Sequence, residues 1–252
     1  MNNVTPKTAL ILGATSAIAE CVARLFAAEG MRLLLVGRNS QRLQAIASDL
    51  SARGAAGAEI ETQDLAAATP VQPAFDRLAA RLGGRIDYVL ICHGILGDQT
   101  LAEGDQMEAE RILSANFSSA VLWSLVAANH LRRQKHGSLV VLGSVAGDRG
   151  RRANYVYGAA KAGIAALCEG IAHEFAATGP KAVVVKIGPT DTPMTEGFDK
   201  KGLLWSKPDK VAAIIRRAAD GGRPVVYAPG FWRWIMLIIR AIPAPIFNKM
   251  SI

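Results

Sequence analysis

Short, continuous apolar runs alternate along this chain with longer segments in which apolar residues recur every three to four positions. Thr8–Leu12 and Arg32–Val36 are runs of the first kind, and Ala17–Glu29 and Gln41–Arg53 belong to the second. The rhythm continues with a strand expected at Glu59–Thr62, a helix around Pro73–Leu82 and a strand at Ile86–Cys92. Beyond these the pattern predicts a long helix from about Gln106 to Arg133, a strand at Ser138–Leu142 and a helix over Tyr155–Thr178. A strand at Ala182–Ile187, a helix over Pro208–Ala219 and a strand at Pro224–Tyr227 close the series. Strands that lack polar alternation are those covered on both faces, as in parallel sheets. Right-handed crossovers then place helices on both sides of the sheet, so the expected fold class is α/β, a doubly wound parallel sheet. Ligands of such sheets sit beyond the carboxyl ends of the strands.

With 252 residues, half of them apolar, the chain can bury a full core, and no linker composition or repeat divides it. One domain over residues 1–229 is expected, followed by an apolar and basic tail over residues 230–252. The net charge of +8 favours anionic partners without choosing among a phosphorylated cofactor or substrate, nucleic acid and an anionic membrane. Nucleic acid has no further support, because no basic strand interleaved with aromatics and no recognition helix appears. The polar stretch Met1–Lys7 lacks the parts of a signal peptide, which points to the cytoplasm. Cys21, Cys92 and Cys168 are too few and too widely spaced for a disulfide framework or a metal site, and they are expected to pack as free thiols.

The turn after the first strand, Gly13-Ala14-Thr15-Ser16-Ala17-Ile18-Ala19, opens directly into a helix. Small residues let the backbone approach a pyrophosphate, while the helix terminus offers unpaired N–H groups and a positive dipole. Val36-Gly37-Arg38-Asn39, at the end of the second strand, has no carboxylate to bond both ribose hydroxyls. Gly37 leaves room for a 2′-phosphate and Arg38 can pair with it, so NADP(H) is expected and NAD(H) is less favoured. The alternative for Arg38 is a solvated surface side chain. Gln63-Asp64-Leu65 follows the third strand, where Asp64 reads either as a ligand residue or as a helix cap, and Ile91-Cys92-His93-Gly94 follows the fourth. Cys92 and His93 are adjacent on a strand and face opposite ways, so no nucleophilic dyad is expected of them.

Tyr157-Gly158-Ala159-Ala160-Lys161 puts a phenol and an ammonium four residues apart on one helix face. Hydride delivered to a carbonyl carbon creates an alkoxide that needs a proton, and a phenol with its usual pKa of ~10 exchanges slowly at neutral pH. A neighbouring ammonium is expected to lower that value, which is the role this reading gives Lys161. Ser144 closes the fifth strand, where its hydroxyl could steady the developing charge. Asn116 sits inside the long helix, where the alternative is a solvent-facing position. Tyr155 has no Lys four residues on and is set aside.

The ordered set Asn116, Ser144, Tyr157 and Lys161, after a nucleotide turn and before Gly188-Pro189-Thr190-Asp191-Thr192-Pro193-Met194, resembles the short-chain dehydrogenase/reductase family. The chain departs from that family's pattern in two places: Ala17 and Ala19 stand for two glycines of Gly-x-x-x-Gly-x-Gly, and Ile91-Cys92-His93-Gly94 stands for Asn-Asn-Ala-Gly. The resemblance implies a Rossmann fold from about residue 8 to 228 with Asn116, Ser144, Tyr157 and Lys161 as catalytic residues. It implies cofactor contacts at Gly13, Thr15, Ser16, Ala17, Ile18 and Arg38, with Asp64 and Leu65 near adenine and Gly94 near its ribose. Lys161 and Tyr157 would meet the nicotinamide ribose, and Gly188, Thr190 and Thr192 the carboxamide and phosphate. Asn116 would hold a water in a proton relay with Lys161.

Two features exceed a generic reductase. Asp148-Arg149-Gly150-Arg151-Arg152 places guanidinium groups, suited to phosphate, beside the substrate side, although each could equally be solvated. In the tail, Gly230–Pro245, apolar runs are broken by Arg233 and Arg240, so it is too short to span a bilayer. It reads either as a membrane-interface segment or as a contact in a homo-oligomer. Together the two features are similar to one branch of the family, the reductases that act on a decaprenylphosphoryl 2-keto-pentose. A polyprenyl-phosphate keto-sugar is thus one expected substrate; a soluble 3-oxoacyl or small keto compound, or a non-catalytic NADP(H) sensor, are the alternatives.

Overall fold

The carboxyl ends of the strands all lie on one side of the molecule, because every strand pairing is parallel. A computed structural model describes residues 5–67, 70–200 and 202–250 of the chain. The first four residues of the polar N-terminal stretch and the last two of the tail lie outside the described residues. In chain order the elements begin β1 (Thr8–Leu12), α1 (Ala17–Ala28), β2 (Arg32–Gly37), α2 (Ser40–Ala52), β3 (Gly57–Thr62), α3 (Val71–Arg81) and β4 (Tyr88–Ile91). There follow α4 (Gln99–Gly104), α5 (Gln106–Leu113), α6 (Ser119–Gln134), β5 (Ser138–Ser144), α7 (Tyr155–Phe175) and β6 (Lys181–Ile187). The series ends with α8 (Pro208–Asp220), β7 (Val225–Ala228), α9 (Trp232–Ala241) and α10 (Ala244–Phe247). The sheet order β3-β2-β1-β4-β5-β6-β7 reverses direction between β1 and β4, which opens a crevice there for a ligand.

The unbroken apolar runs have a direct structural cause. In β1, Ala9 and Ile11 face a core shared with α1, α2 and α8, while Leu10 and Leu12 face a second core shared with α3, α6 and α7. Both faces are dry, so neither parity of the strand can be polar.

The predicted long helix is interrupted. α5 and α6 are joined by one π-turn, Ser114–Ser118, which inserts an extra residue into the helical register. The whole segment Gln106–Gln134 is apolar and long enough to cross a membrane by composition, yet Trp123, Ala127 and Leu131 pack it into the second core. Cys21, Cys92 and Cys168 are free, the last two buried.

The tail is docked rather than appended. Trp232 and Met236 of α9 are buried against Val145, which follows β5. The Arg149 guanidinium lies 3.7 Å from the Phe247 ring. It donates to the Ile242 carbonyl at 2.7 Å and also to that of Ile239, satisfying acceptors that the end of α9 leaves open. Arg152 donates to the Met250 carbonyl at 2.6 Å. Two of the three loop arginines expected to suit phosphate therefore hold the tail instead, since main-chain carbonyls at a helix end compete for the same donors.

Gly188 explains why this docking bears on the rest: a Cβ there would lie 2.1 Å from the Trp232 indole nitrogen. The tail tryptophan thus forms the floor under the segment after β6. Trp232→Ala is expected to destabilise the fold by about 3–5 kcal/mol, the usual range for emptying a buried tryptophan site. Thermal unfolding checks this, and a midpoint unchanged from wild type would mean the tail does not contribute to the fold.

Candidate active site

Two joined clefts open along the carboxyl edge of the sheet, sharing Ser16, Ile18, Cys92, His93, Gly94, Thr192 and Met194. The first is a groove lined by Gly13, Thr15, Ala17, Arg38, Asp64 and Leu65 in addition. The second, about 360 Å³, is lined by Asn116, Ser144, Tyr157, Lys161, Gly188 and Thr190. Every residue singled out in the sequence for chemistry or cofactor contact lies on the wall of one cleft or both.

The groove is built from the turn after β1. Gly13 has φ +86°, and a Cβ there would sit 2.5 Å from the His93 nitrogen, so glycine is required by the neighbouring strand end rather than by any ligand. Ser16 makes no side-chain cap to α1, which leaves the first N–H groups of that helix facing the groove. Ala19, one of the two departures from glycine, is wholly buried and fills space beneath the sheet, whereas Ala17 borders the groove. Arg38 is exposed at the groove's end with no ion pair among the described residues. The neighbouring Arg42 is bound to Glu20, which also holds Arg24, so that carboxylate is not free to compete for a ribose. Asp64 accepts from the Ala66 N–H at 3.0 Å, capping a turn rather than a helix.

His93 has a role that its sequence context did not suggest. Its Nε2 lies 2.9 Å from Ser119 Oγ, and Ser119 donates to the Leu65 carbonyl at 2.6 Å, so Nε2 carries the proton. Trp123 Nε1 donates to the same carbonyl at 3.0 Å. The chain after β3 is thereby tied to α6 and to the end of β4, which fixes the segment carrying Asp64. Cys92 is buried and its thiol is pushed up to about 12, so it is no nucleophile.

In the second cleft, Asn116 sits in the π-turn and is fully buried, not solvent-facing. Its amide donates to the carbonyls of Ile95 and Ile112, each at 2.8 Å, and its oxygen accepts from the Ile95 N–H at 3.2 Å. The extra residue of the π-turn turns this side chain inward. Lys161 Nζ donates to the Leu142 carbonyl at 3.0 Å and stands 5.7 Å from the centre of the Tyr157 ring. Burial pulls Lys161 down to about 8. Tyr157 is pushed up to about 12, chiefly by burial, with a hydrogen bond to Ser144 acting in the opposite direction. This differs from the sequence expectation: the ammonium is spent on a main-chain carbonyl, so desolvation outweighs it and the phenol keeps its proton throughout the neutral range. Ser144 Oγ accepts from the Ala146 N–H at 3.1 Å, so its own hydrogen is the one directed at the Tyr157 oxygen, which is why that bond lowers the phenol's pKa.

A family model described as short chain dehydrogenase matches residues 7–202. The chain belongs to the short-chain dehydrogenase family. It is an oxidoreductase of that family, whose members use NAD(P)(H). An uncharacterized oxidoreductase of Streptomyces coelicolor is 36% identical over 98% of this chain and 97% of its own length. One from Mycobacterium tuberculosis is 35% identical over 99% of both. Among solved structures, a short chain dehydrogenase/reductase family protein superposes with a TM-score of 0.75 at 30% identity, covering 88% of this chain and 95% of that one. The fold is also that of a short-chain dehydrogenase from Sphingobium yanoikuyae in complex with NADPH, with a TM-score of 0.81 at 24% identity over 94% and 97% of the two chains.

Further residues of this dehydrogenase's second cleft went unassigned in the sequence. Met194, Phe198 and Trp205 come from the segment after β6, and Asn154 precedes α7. The available signal was a pair of aromatics, Phe198 and Trp205, in the short stretch between β6 and α8.

His93 also gives the dehydrogenase a pH response. Burial, and secondarily the Lys161 charge, hold its imidazole at about 4 instead of the ordinary 6.5, with Asp64 opposing. As pH falls from about 6.5 to about 4, the unfolded chain binds a proton here that the folded chain refuses, so stability declines through that window and is level above it. His93→Gln is expected to flatten the decline in unfolding midpoint measured across those pH values. An equally steep decline in the variant would assign it to other groups.

Proposed function

We propose that this dehydrogenase reduces a carbonyl to an alcohol with NADP(H), Tyr157 supplying the proton. The observation that supports this most directly is the convergence of Ser144, Tyr157, Lys161 and Asn116 on one cleft that runs into a groove ending at an unpaired arginine. The groove suits a dinucleotide phosphate: the α1 N-terminus has no side-chain cap and Arg38 is free for a 2′-phosphate. NAD(H) has no free carboxylate at the β2 end to favour it. When bound, NADP(H) supplies the hydride.

The chain's own residues account for the rest. The Ser144 hydroxyl donates to the substrate oxygen and steadies negative charge as it develops there. Tyr157, protonated at neutral pH, passes its phenolic hydrogen to that oxygen. Lys161, at about 8, is largely charged at pH 7 and lends positive potential to the phenolate left behind. Asn116 acts by holding the segment at Ile95 beside Lys161, which is where a relay water would need a fixed wall.

Met194, Phe198 and Trp205 give the cleft an apolar side, which supports a substrate with a sizeable apolar part. A polyprenyl-phosphate keto-sugar is the candidate that the sequence resemblance singles out. Trp234, Leu237 and Ile238 leave an apolar outer face on α9, flanked by Arg233 and Arg240, and this supports a cytoplasmic enzyme in peripheral contact with membrane or with a second copy through the tail.

Tyr157→Phe is expected to lower kcat by about two to four orders of magnitude, the scale of general-acid catalysis, while NADPH still binds. Arg38→Ala is expected to cost NADPH about 1.5–3 kcal/mol, tenfold or more in KM, and to leave NADH little changed. Steady-state NADPH oxidation with a panel of ketones measures both. Tight NADPH binding with no oxidation by any ketone would favour a sensor and sink the catalytic reading.

A further inference from the structure

The three arginines between β5 and α7 have separate fates. Arg149 and Arg152 hold the tail through its carbonyls. Arg151 instead lines the catalytic cleft beside Asn154 and Tyr157. Its Nε is buried without a hydrogen-bond partner, and its guanidinium makes no ion pair among the described residues. The carboxylate that could neutralise it is committed elsewhere: Asp148 accepts from Lys186 Nζ at 2.6 Å with one oxygen and from the Tyr227 hydroxyl at 2.7 Å with the other. Burial pulls the Arg151 pKa below its ordinary value, with Asp148 only partly opposing. An unpaired cation in such a place costs folding free energy.

A second group in the same corner is also unpartnered. Asn154 precedes the 21-residue helix α7 but makes no side-chain cap to it, and its Oδ1 is buried with nothing to accept from. The α7 N-terminus borders the cleft with Asn154 giving it no cap; of its first N–H groups, that of Val156 is taken by the Gln99 side chain at 3.1 Å. Met194, Phe198 and Trp205 also line the cleft, and among the described residues no Asp or Glu does. The polar demand of the corner is for one anion and one hydroxyl donor.

We propose that Arg151 is an anion subsite that binds a phosphate or carboxylate group of the carbonyl substrate, with Asn154 accepting from a hydroxyl beside it. The proposal rests on the reading of this cleft as the place of carbonyl reduction, and it deepens that reading by assigning the substrate a negative charge. A planar guanidinium presents paired donors that match either oxyanion.

The test separates the subsite from the chemistry. With the protein saturated in NADPH, phenyl phosphate, benzoate and uncharged benzyl alcohol are titrated by calorimetry into wild type, Arg151→Met and Arg151→Lys. Phenyl phosphate or benzoate is expected to bind wild type, and the tighter of the two tells phosphate from carboxylate. Its affinity should fall about tenfold or more in Arg151→Met and less in Arg151→Lys, as expected for a charge-assisted pair. Arg151→Met should also melt no lower than wild type, because it removes an unpaired buried charge. A purely structural arginine would lower the melting point in that variant. In parallel, the kcat/KM ratio of a 4-oxocarboxylate over its methyl ester should drop about tenfold from wild type to Arg151→Met. Arginine-dependent binding of the anion with neither ketone reduced would sustain the subsite and count against carbonyl reduction. Equal anion binding by wild type and Arg151→Met, or none by wild type, overturns the subsite and leaves the reduction chemistry standing.

Discussion

The active edge of the sheet is held together by two buried polar side chains that clasp one glycine. Asn116 takes both main-chain groups of Ile95, and Lys161 takes the Leu142 carbonyl at the end of β5. Gly94 lies between them: a Cβ there would fall 2.4 Å from Asn116 Oδ1 and 3.5 Å from Lys161 Nζ. The chain can leave β4 and turn through this space only without a side chain. The π-turn that aims Asn116 inward, the end of β4, the end of β5 and helix α7 thus share one junction, and both clefts take their common wall from it.

The same economy governs the far side of the site. Trp232 presses on Gly188, and Arg149 clamps the end of α9, so the segment after β6 rests on the tail as its floor. Removing the whole tail would therefore disturb the cleft as well as any surface contact the tail makes. Its contribution to membrane or oligomer contact is better isolated at Trp234, Leu237 and Ile238, whose side chains point outward.

The sheet and its helices were legible because burial on both faces writes a continuous apolar run into the inner strands, the edge strand β3 alternates Ala58 and Ile60 with Glu59 and Glu61, and one-sided burial writes a helical period into the helices. α4 was not, since its six residues bury no side chain and are started by the Asp98 side chain accepting from Leu101, a local bond without a period. The clustering of the site residues followed from order along the chain, because parallel strands deliver their carboxyl ends to one edge. What sequence could not supply was the destination of long side chains. Lys161 and Tyr157 share a helix face as the spacing requires, yet the ammonium goes to a carbonyl on another strand. Arg149 and Arg152 likewise go to main-chain acceptors far along the sequence, and carbonyls leave no mark in the amino-acid letters. Asn116 reads as lying inside the long helix, but its burial depends on the π-turn's added residue, which propensity does not reveal.

The electrostatic balance of the second cleft ties these placements together. Its wall holds Lys161 and Arg151, both depressed from their ordinary values by burial, a phenol raised by it, and, among the described residues, no carboxylate. Each of these shifts is the same statement, that water is scarce there and charge is expensive. An anion entering the cleft relieves the two cations and so favours their protonated forms, whereas it penalises the phenolate and keeps the proton on Tyr157. On the proposed reading, a charged substrate would therefore keep the donor protonated until transfer. On the proposed reaction, a phenolate left at Tyr157 would be offset by the Ser144 hydroxyl and by Lys161, whose main-chain bond to Leu142 holds it 5.7 Å from the ring centre without a fixed ion pair.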